Sequence, residues 1–491
     1  MSAKALLGSW YVPTMQRQPR MLILLALALA LGLSLFGNDW SPSRSLAATP
    51  DRRPSGTPPR AATPASEVTF TPSVTGGPGV QVTMPPVGLS LEYPVMAQDL
   101  GTGACPPPAL TAELLRLGSP PLALAGLSQD LTAPSGVLAG PPPSWETATL
   151  YSLPANFWSQ LHCLLTAAGD PLTVGLNAKT AELSWAAQMV AGAQSAATDG
   201  LDFSLGNEPD LYYLPNYSSL DKPQGSEEAV AVNLYLQVAT YLQQAVGGGA
   251  PLVGPELARP AHWQRELPRV IEQLHERTVG VHLYPLTACV SPRAVTVGGL
   301  LSARAADAPR GLAWVVADAN AARVPAIISE ANSASCGGKA GVSNSPAAAV
   351  WAVRFVLAAL KTGFREVRFH FSGGPYDPFI VRGEEVASRP LESALVALNQ
   401  WLPVGSSLQT VAGVRGLVAT SVGRTAGETL LILDNEHARA RPVVLRNAHS
   451  VRIEALSATR AGLQTKELSS PRGRIALVVA GNSVLAVSSS P

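Results

Sequence analysis

Between residues 87 and 372 the chain alternates short, almost continuous apolar runs with longer segments whose apolar residues recur every three or four positions. The runs are VGLSLEY (87–93), PPLALAG (120–126), PLTVGLN (171–177), LDFSLGNE (201–208), APLVGPE (250–256), VGVHLYP (279–285), PAIISEA (325–331) and EVRFHFS (366–372). The segments between them read as helices: PALTAELLRLG, ANFWSQLHCLLTAAG, AELSWAAQMVAGAQ, SEEAVAVNLYLQVATYLQQAV and HWQRELPRVIEQLHER. After the seventh run, SPAAAVWAVRFVLAALKTG supplies its own punctuation. Ser345 is placed to cap a helix, Pro346 suits its first turn and Gly363 its end, with Val350, Val353, Leu357 and Leu360 at helical spacing. Near-continuous apolar strands joined by helical crossovers form a parallel sheet covered on both faces. Eight such repeats over roughly 290 residues predict a (β/α)8 TIM barrel. An open doubly wound sheet would need a glycine-rich phosphate-binding turn after its first strand, and neither SLEYPVM nor GTGACP provides one.

After residue 376 the texture changes. LLILDNE, RPVVLRN, VRIEALSA and RIALVVAGNSVLAV alternate short strands with turn residues, with no helical pattern, and predict a C-terminal all-β sandwich over 376–491. The strand-like stretch at 67–86 precedes the barrel and is expected to join that sandwich, leaving 87–375 as the barrel. Residues 48–66 are rich in Pro, Ser and Arg and read as a disordered linker. Ahead of it, Arg17 and Arg20 precede sixteen uncharged apolar residues (21–36). That run within 1–47 fits either a signal peptide cleaved near Ala47 or a retained transmembrane anchor, since a comfortable membrane span is ~20 residues. Both readings export the chain, to an extracellular, periplasmic or membrane-anchored position.

Composition narrows the function classes. A net charge of +1, from 35 basic and 34 acidic residues, leaves no electrostatic footprint for nucleic acid. Four cysteines suit an oxidising compartment and permit two disulfides in any of three connectivities. Seven scattered histidines without a Cys-x-x-Cys pair, and no Gly-x-Ser-x-Gly elbow, predict neither a metal site nor a serine hydrolase.

In a barrel of this kind the chemistry sits at the C-terminal ends of the strands. Glu208 ends the fourth run and Glu330 the seventh, and these two are read as the only runs that end on a carboxylate after a clean apolar stretch and before further polar side chains. Two carboxylates facing one pocket can divide labour between acid/base and nucleophile, without metal or organic cofactor. Asn207 places an amide at the same rim, and Pro209 stops the strand. Tyr212, Tyr213 and Tyr217 offer flat faces with polar tips, suited to sugar rings.

This pairing is similar to the large clan of retaining glycosidases with an Asn-Glu acid/base on strand four and a Glu nucleophile on strand seven. More closely, SEANSASCGGKAGVSNSPAAAVWAVRFVLAALKTGFREVRFHFSGG (329–374), LTVGLNAKTAE with LDFSLGNEPDLY, and VHLYPLTACV resemble the heparanase-like β-glucuronidases of glycoside hydrolase family 79. The resemblance implies that Glu208 is the acid/base and Glu330 the nucleophile, that Tyr284 orients the nucleophile, and that His282 and His370 line the pocket. It puts Cys289 and Cys336 in loops on the same barrel face, where their pairing would brace the nucleophile loop. Gly337 and Lys339, in CGGKAG, become candidates to receive the carboxylate of a uronic acid, as glycine amides can approach an anion closely. One departure stands out: at the end of strand two, where the family usually carries Arg-Ile-Gly-Gly-Asn-Ser, this chain has Ala123 and Leu127, with Ser128 and Asp130 remaining. The expectation is a retaining, exo-acting β-glucuronidase-like hydrolase. The alternatives are a related enzyme for a neutral sugar and a non-catalytic carbohydrate-binding relative.

Overall fold

The computed structural model describes residues 65–69, 79–137, 150–198, 200–214, 225–289, 291–412, 414–424 and 427–489. The apolar run 21–36, most of the linker and Tyr217 lie outside them; among the described residues no helix is long and apolar enough to cross a membrane.

All eight apolar runs are strands of one parallel sheet: β1 (Val87–Glu92), β2 (Leu122–Ala125), β3 (Leu172–Leu176), β4 (Leu201–Leu205), β5 (Val253–Leu257), β6 (Thr278–Leu283), β7 (Ala326–Ala331) and β8 (Val367–Phe371). Their order in space runs β4-β3-β2-β1-β8-β7-β6-β5. The last seam closes through a parallel bridge between Phe203 and Leu252 and a 3.0 Å hydrogen bond from the Phe203 amide to the Pro251 carbonyl. Burial on both faces explains why these strands carry no hydrophobic alternation. Three ladders shift register near their C-terminal ends, between Gly280 and Val281, Val281 and His282, and Ile328 and Ala331. Such irregularities re-aim side chains, and here they fall at the level of His282 and Glu330.

The helix Pro346–Thr362 starts with Pro346 and ends at Gly363 in left-handed conformation (φ 112°). Ser345 is its N-cap by position only: the hydroxyl donates to the Val342 carbonyl instead of accepting from a helix amide. Past residue 376 the chain is not all β. The helix Pro390–Trp401 follows β8, burying Leu391, Ala394, Leu395, Leu398 and Trp401, and packs against Pro346–Thr362. It serves as the crossover helix of the eighth repeat, so the barrel runs on to about residue 402.

The β domain has a seven-stranded antiparallel sheet, ordered Val80–Gln81, Ser407–Val411, Val418–Gly423, Thr429–Asn435, Ser483–Ser489, Ser450–Ser457 and Arg460–Ser469. A second, three-stranded sheet pairs Ser66–Thr69 in parallel with Arg441–Arg446, and the latter with Arg474–Val479. Both strands that precede the barrel therefore belong to this domain. Alternation along Thr429–Asn435 serves two interfaces. Leu431 and Leu433 enter the core between the sheets, while Leu430 and Ile432 enter the core shared with the barrel. Within that shared layer Arg354 makes a buried bidentate ion pair with Asp434 (Nη2 to Oδ1 2.8 Å, Nε to Oδ2 3.0 Å).

Candidate active site

The end of β4 turns sharply. Gly206 takes φ 109°, where a Cβ would lie 2.5 Å from the Tyr212 hydroxyl oxygen, and Glu208 is itself left-handed (φ 50°, ψ 51°). A non-glycine residue in that region is strained and persists only where its surroundings hold it. Three bonds do so. The Glu208 amide donates to the Glu256 carbonyl at 3.0 Å, and Asp210 accepts from the amides of Ala258 (2.9 Å) and Arg259 (2.6 Å), fastening the β4 turn to the end of β5. Behind the turn, buried Asp130 accepts from the amides of Ala178 (2.9 Å) and Asn207 (3.3 Å) and from the Tyr212 hydroxyl (3.0 Å). Burial raises the pKa of Asp130 and lifts that of Asp210 to about 6.

This turn directs Glu208 across the mouth toward β6 and β7. One oxygen of Glu208, one of Glu330 and a ring nitrogen of His282 all lie within 4.8 Å of one another. Glu330 Oε1 accepts from the Tyr284 hydroxyl at 2.7 Å. Burial, then the charge of Glu330, pushes the Tyr284 phenol well above its ordinary range, so it acts as a donor. His282 pairs with Glu330 in the β6–β7 register. Its Nδ1 is 3.3 Å from Glu208 Oε1 and 3.7 Å from Glu330 Oε1, and its Nε2 is 3.2 Å from Glu256 Oε2. An imidazole flanked by carboxylates on both nitrogens can donate to both only as the imidazolium. Burial opposes that charge, but Glu330, Glu208 and Glu256 outweigh it and hold the pKa well above the ordinary histidine value. The three clustered groups are also metal-ligand types.

Glu208 and Glu330 are not the only strand-end carboxylates at the mouth. Glu92 ends β1 and Glu256 lies near the end of β5, so the sequence criterion that selected two acids passed over two more. Glu256, also left-handed (φ 58°), accepts from the Ser329 hydroxyl and faces His282. Glu92 accepts from the amides of Leu127 (3.1 Å) and Ser128 (2.7 Å), and its Oε1 is 3.3 Å from His370 Nε2. Although burial works the other way, His370 and Ser128 bring the Glu92 pKa below its ordinary value. His370 in turn is raised to about 9 against the effect of burial, by Glu330 and Glu92. Both acids end apolar runs just as the recognised pair does, and that was the available signal.

The remaining expected residues divide. Tyr212 is not an exposed sugar platform; it is 1 % exposed and its hydroxyl is spent on Asp130, because the turn at Glu208–Pro209 rotates it inward. Asn207 is buried beside Glu208, with an Oδ1 that has no partner among the described residues. Gly337 and Gly338 are both left-handed (φ 77° and 79°) in the loop after β7. Lys339 in that loop uses its ammonium to donate to the Val295 carbonyl at 2.7 Å, a bond within the scaffold. Cys289 and Cys336 form a disulfide that ties the β6 and β7 loops, and Cys105 and Cys163 form the other. At the end of β2, Ala123 is buried and Leu127 is 48 % exposed.

No protein-family model and no curated protein matches the chain. Solved structures do. A 4-O-α-L-rhamnosyl-β-D-glucuronidase from Fusarium oxysporum, in its Rha-GlcA complex, superposes with a TM-score of 0.62 at 17% identity, over 86% of this chain and 100% of that one. A GH51 arabinofuranosidase from Xanthomonas axonopodis pv. citri gives 0.62 at 12% identity, over 84% and 97%. A GH30 endoxylanase from Clostridium papyrosolvens gives 0.52 at 10%, over 84% and 98%. At these identities the likeness establishes architecture: the chain has the (β/α)8 barrel with appended β domain on which these glycoside hydrolases are built.

Proposed function

We propose that the protein is a retaining β-glycoside hydrolase, with Glu330 as nucleophile and Glu208 as acid/base. One observation carries the reading: the approach of the two carboxylates to within 4.8 Å at the ends of β7 and β4. Retaining enzymes hold their carboxyl groups ~5–5.5 Å apart, whereas inverting ones leave ~6.5–9.5 Å for a water. Burial supports this division of roles. The Glu330 side chain is 8% exposed and held by Tyr284, as an attacking group must be; Glu208 is 22% exposed, where a leaving group can depart to solvent. In the first step a Glu330 oxygen bonds to the anomeric carbon as the glycosidic C–O bond breaks, and Glu208 gives its proton to the departing oxygen. In the second, Glu208 takes a proton from water, whose oxygen replaces Glu330 on the anomeric carbon. Neither step requires a metal or cofactor.

The finer reading is an exo-acting β-glucuronidase-like enzyme. Its support is the Gly337–Gly338 turn in the loop that follows the nucleophile strand, whose backbone can approach a sugar carboxylate closely, together with the likeness to the rhamnosyl-glucuronidase. A neutral sugar is the second reading, favoured by the engagement of Lys339 with Val295. Turnover of 4-nitrophenyl β-D-glucuronide against the glucoside and xyloside decides between them. A 2-deoxy-2-fluoroglycoside trap read by peptide mass tests the mechanism. Glu330 is the expected site of labelling, and labelling elsewhere refutes the assignment.

A further inference from the structure

Among the described residues, only one oxygen of Glu330 finds a hydrogen-bond partner. Oε1 accepts from Tyr284, while Oε2 is buried without a hydrogen bond. The group facing Oε2 is His370 Nδ1, 3.4 Å away and equally without a hydrogen bond. Across the ring, Nε2 meets Glu92 Oε1 at 3.3 Å, and Glu92 is anchored by the Leu127 and Ser128 amides. The space for this contact is made by Gly126 (φ 77°), where a Cβ would lie 2.6 Å from Glu92 Oε1 and 2.7 Å from His370 Cε1. Tyr376 packs edge-on against the ring at 5.9 Å, and Asn332 donates to the His370 carbonyl at 2.9 Å.

We propose that Glu92 and His370 are a positioning dyad that holds a fixed positive charge against the second oxygen of Glu330. This rests on the reading of Glu330 as nucleophile. In the first half-reaction the carboxylate charge is consumed as the ester forms; in the second it returns as the ester breaks. A cation that is aligned throughout favours the ionised, correctly turned carboxylate at both ends and gives up no proton itself. Glu92 keeps His370 charged and stops the ring from rotating. The other charged or titratable groups facing His370 are Glu330, His282, Tyr376 and Asp377.

Two substitutions separate positioning from bulk structure. His370→Gln removes the charge and is expected to lower kcat about 100-fold at every pH between 5 and 9, with KM within about threefold. Glu92→Gln keeps an acceptor for one of the two amides but removes the charge that sustains His370. Its kcat is expected to approach that of the wild type at pH 5 and to fall about tenfold below it by pH 8, as His370 loses its proton. Histidine ring NMR of the same variant is expected to show the His370 pKa lowered by about two units. Parallel pH profiles for Glu92→Gln and wild type, or an unmoved His370 titration, overturn the dyad. Should the wild type hydrolyse no glycoside and take no fluoroglycoside label, the glycosidase reading fails, and the NMR titration still decides whether Glu92 sustains the His370 charge.

Discussion

Replacing His370 by Gln has a stability consequence that can be worked out from the same contacts. The ring is 4% exposed and sits between Glu92 and Glu330, which raise its pKa from the ordinary 6.5 to about 9. A folded-state value above the unfolded one means that folding favours the protonated ring. The contribution is therefore complete below pH 6.5 and disappears as the pH climbs through 9. At ~1.4 kcal/mol per unit, a shift of about 2.5 units corresponds to about 3 kcal/mol. The lowered Glu92 pKa describes the same ion pair from its acidic side and is not added; that side is lost only as the pH falls below the carboxylate range. Urea unfolding of the wild type and the Gln variant at pH 6 and pH 9.5 cancels every other titrating group common to both. The gap between the two proteins is expected to shrink by about 3 kcal/mol between those pH values. A gap that stays constant to within about 1 kcal/mol would mean that folding does not raise the pKa of the ring, and the charge argument would fall with it.

Three further outcomes follow from individual contacts. Tyr284→Phe deletes the 2.7 Å bond to Glu330 Oε1, a charge-assisted bond worth ~1.5–3 kcal/mol, so kcat should fall about 10- to 100-fold with KM little changed; an unchanged kcat in steady-state assays would remove Tyr284 from the machinery. Gly126→Ala drives a methyl group into the Glu92–His370 contact from a left-handed backbone, and should lower kcat as His370→Gln does, with ~1–2 kcal/mol of lost stability from strain; a fully active variant would show that the contact can open without cost. Removing the Cys289–Cys336 disulfide by a double Ser substitution should reduce kcat because it frees the loop that follows Glu330, whereas the same change at Cys105–Cys163 should lower the melting temperature and leave kcat intact; equal effects on kcat would argue against a specific brace.

The barrel was legible because burying both faces of a parallel strand writes an unbroken apolar run, and a charge at the end of such a run is conspicuous. That is how Glu208 and Glu330 could be read. The helix Pro390–Trp401 carries the same kind of signal, with Leu391, Ala394, Leu395 and Leu398 at helical spacing, but it lies among strand-like segments whose texture hid it. Tyr212 misled for a different reason: an aromatic ring with a polar tip suits a sugar and a buried hydroxyl acceptor equally, and only the left-handed turn at Glu208 decides which it meets. Glu92 and Glu256 end their runs in the manner of the recognised pair, and nothing local distinguishes an acid that performs chemistry from one that holds a histidine. The distinction is made by partners distant in the chain. His282 and His370 arrive on β6 and β8, each with one nitrogen toward Glu330 and the other toward an acid that sustains its charge. Four acids crowd one mouth; the two interleaved histidines stand between them, and Glu208 and Glu330 are left as the pair that approach each other across the pocket.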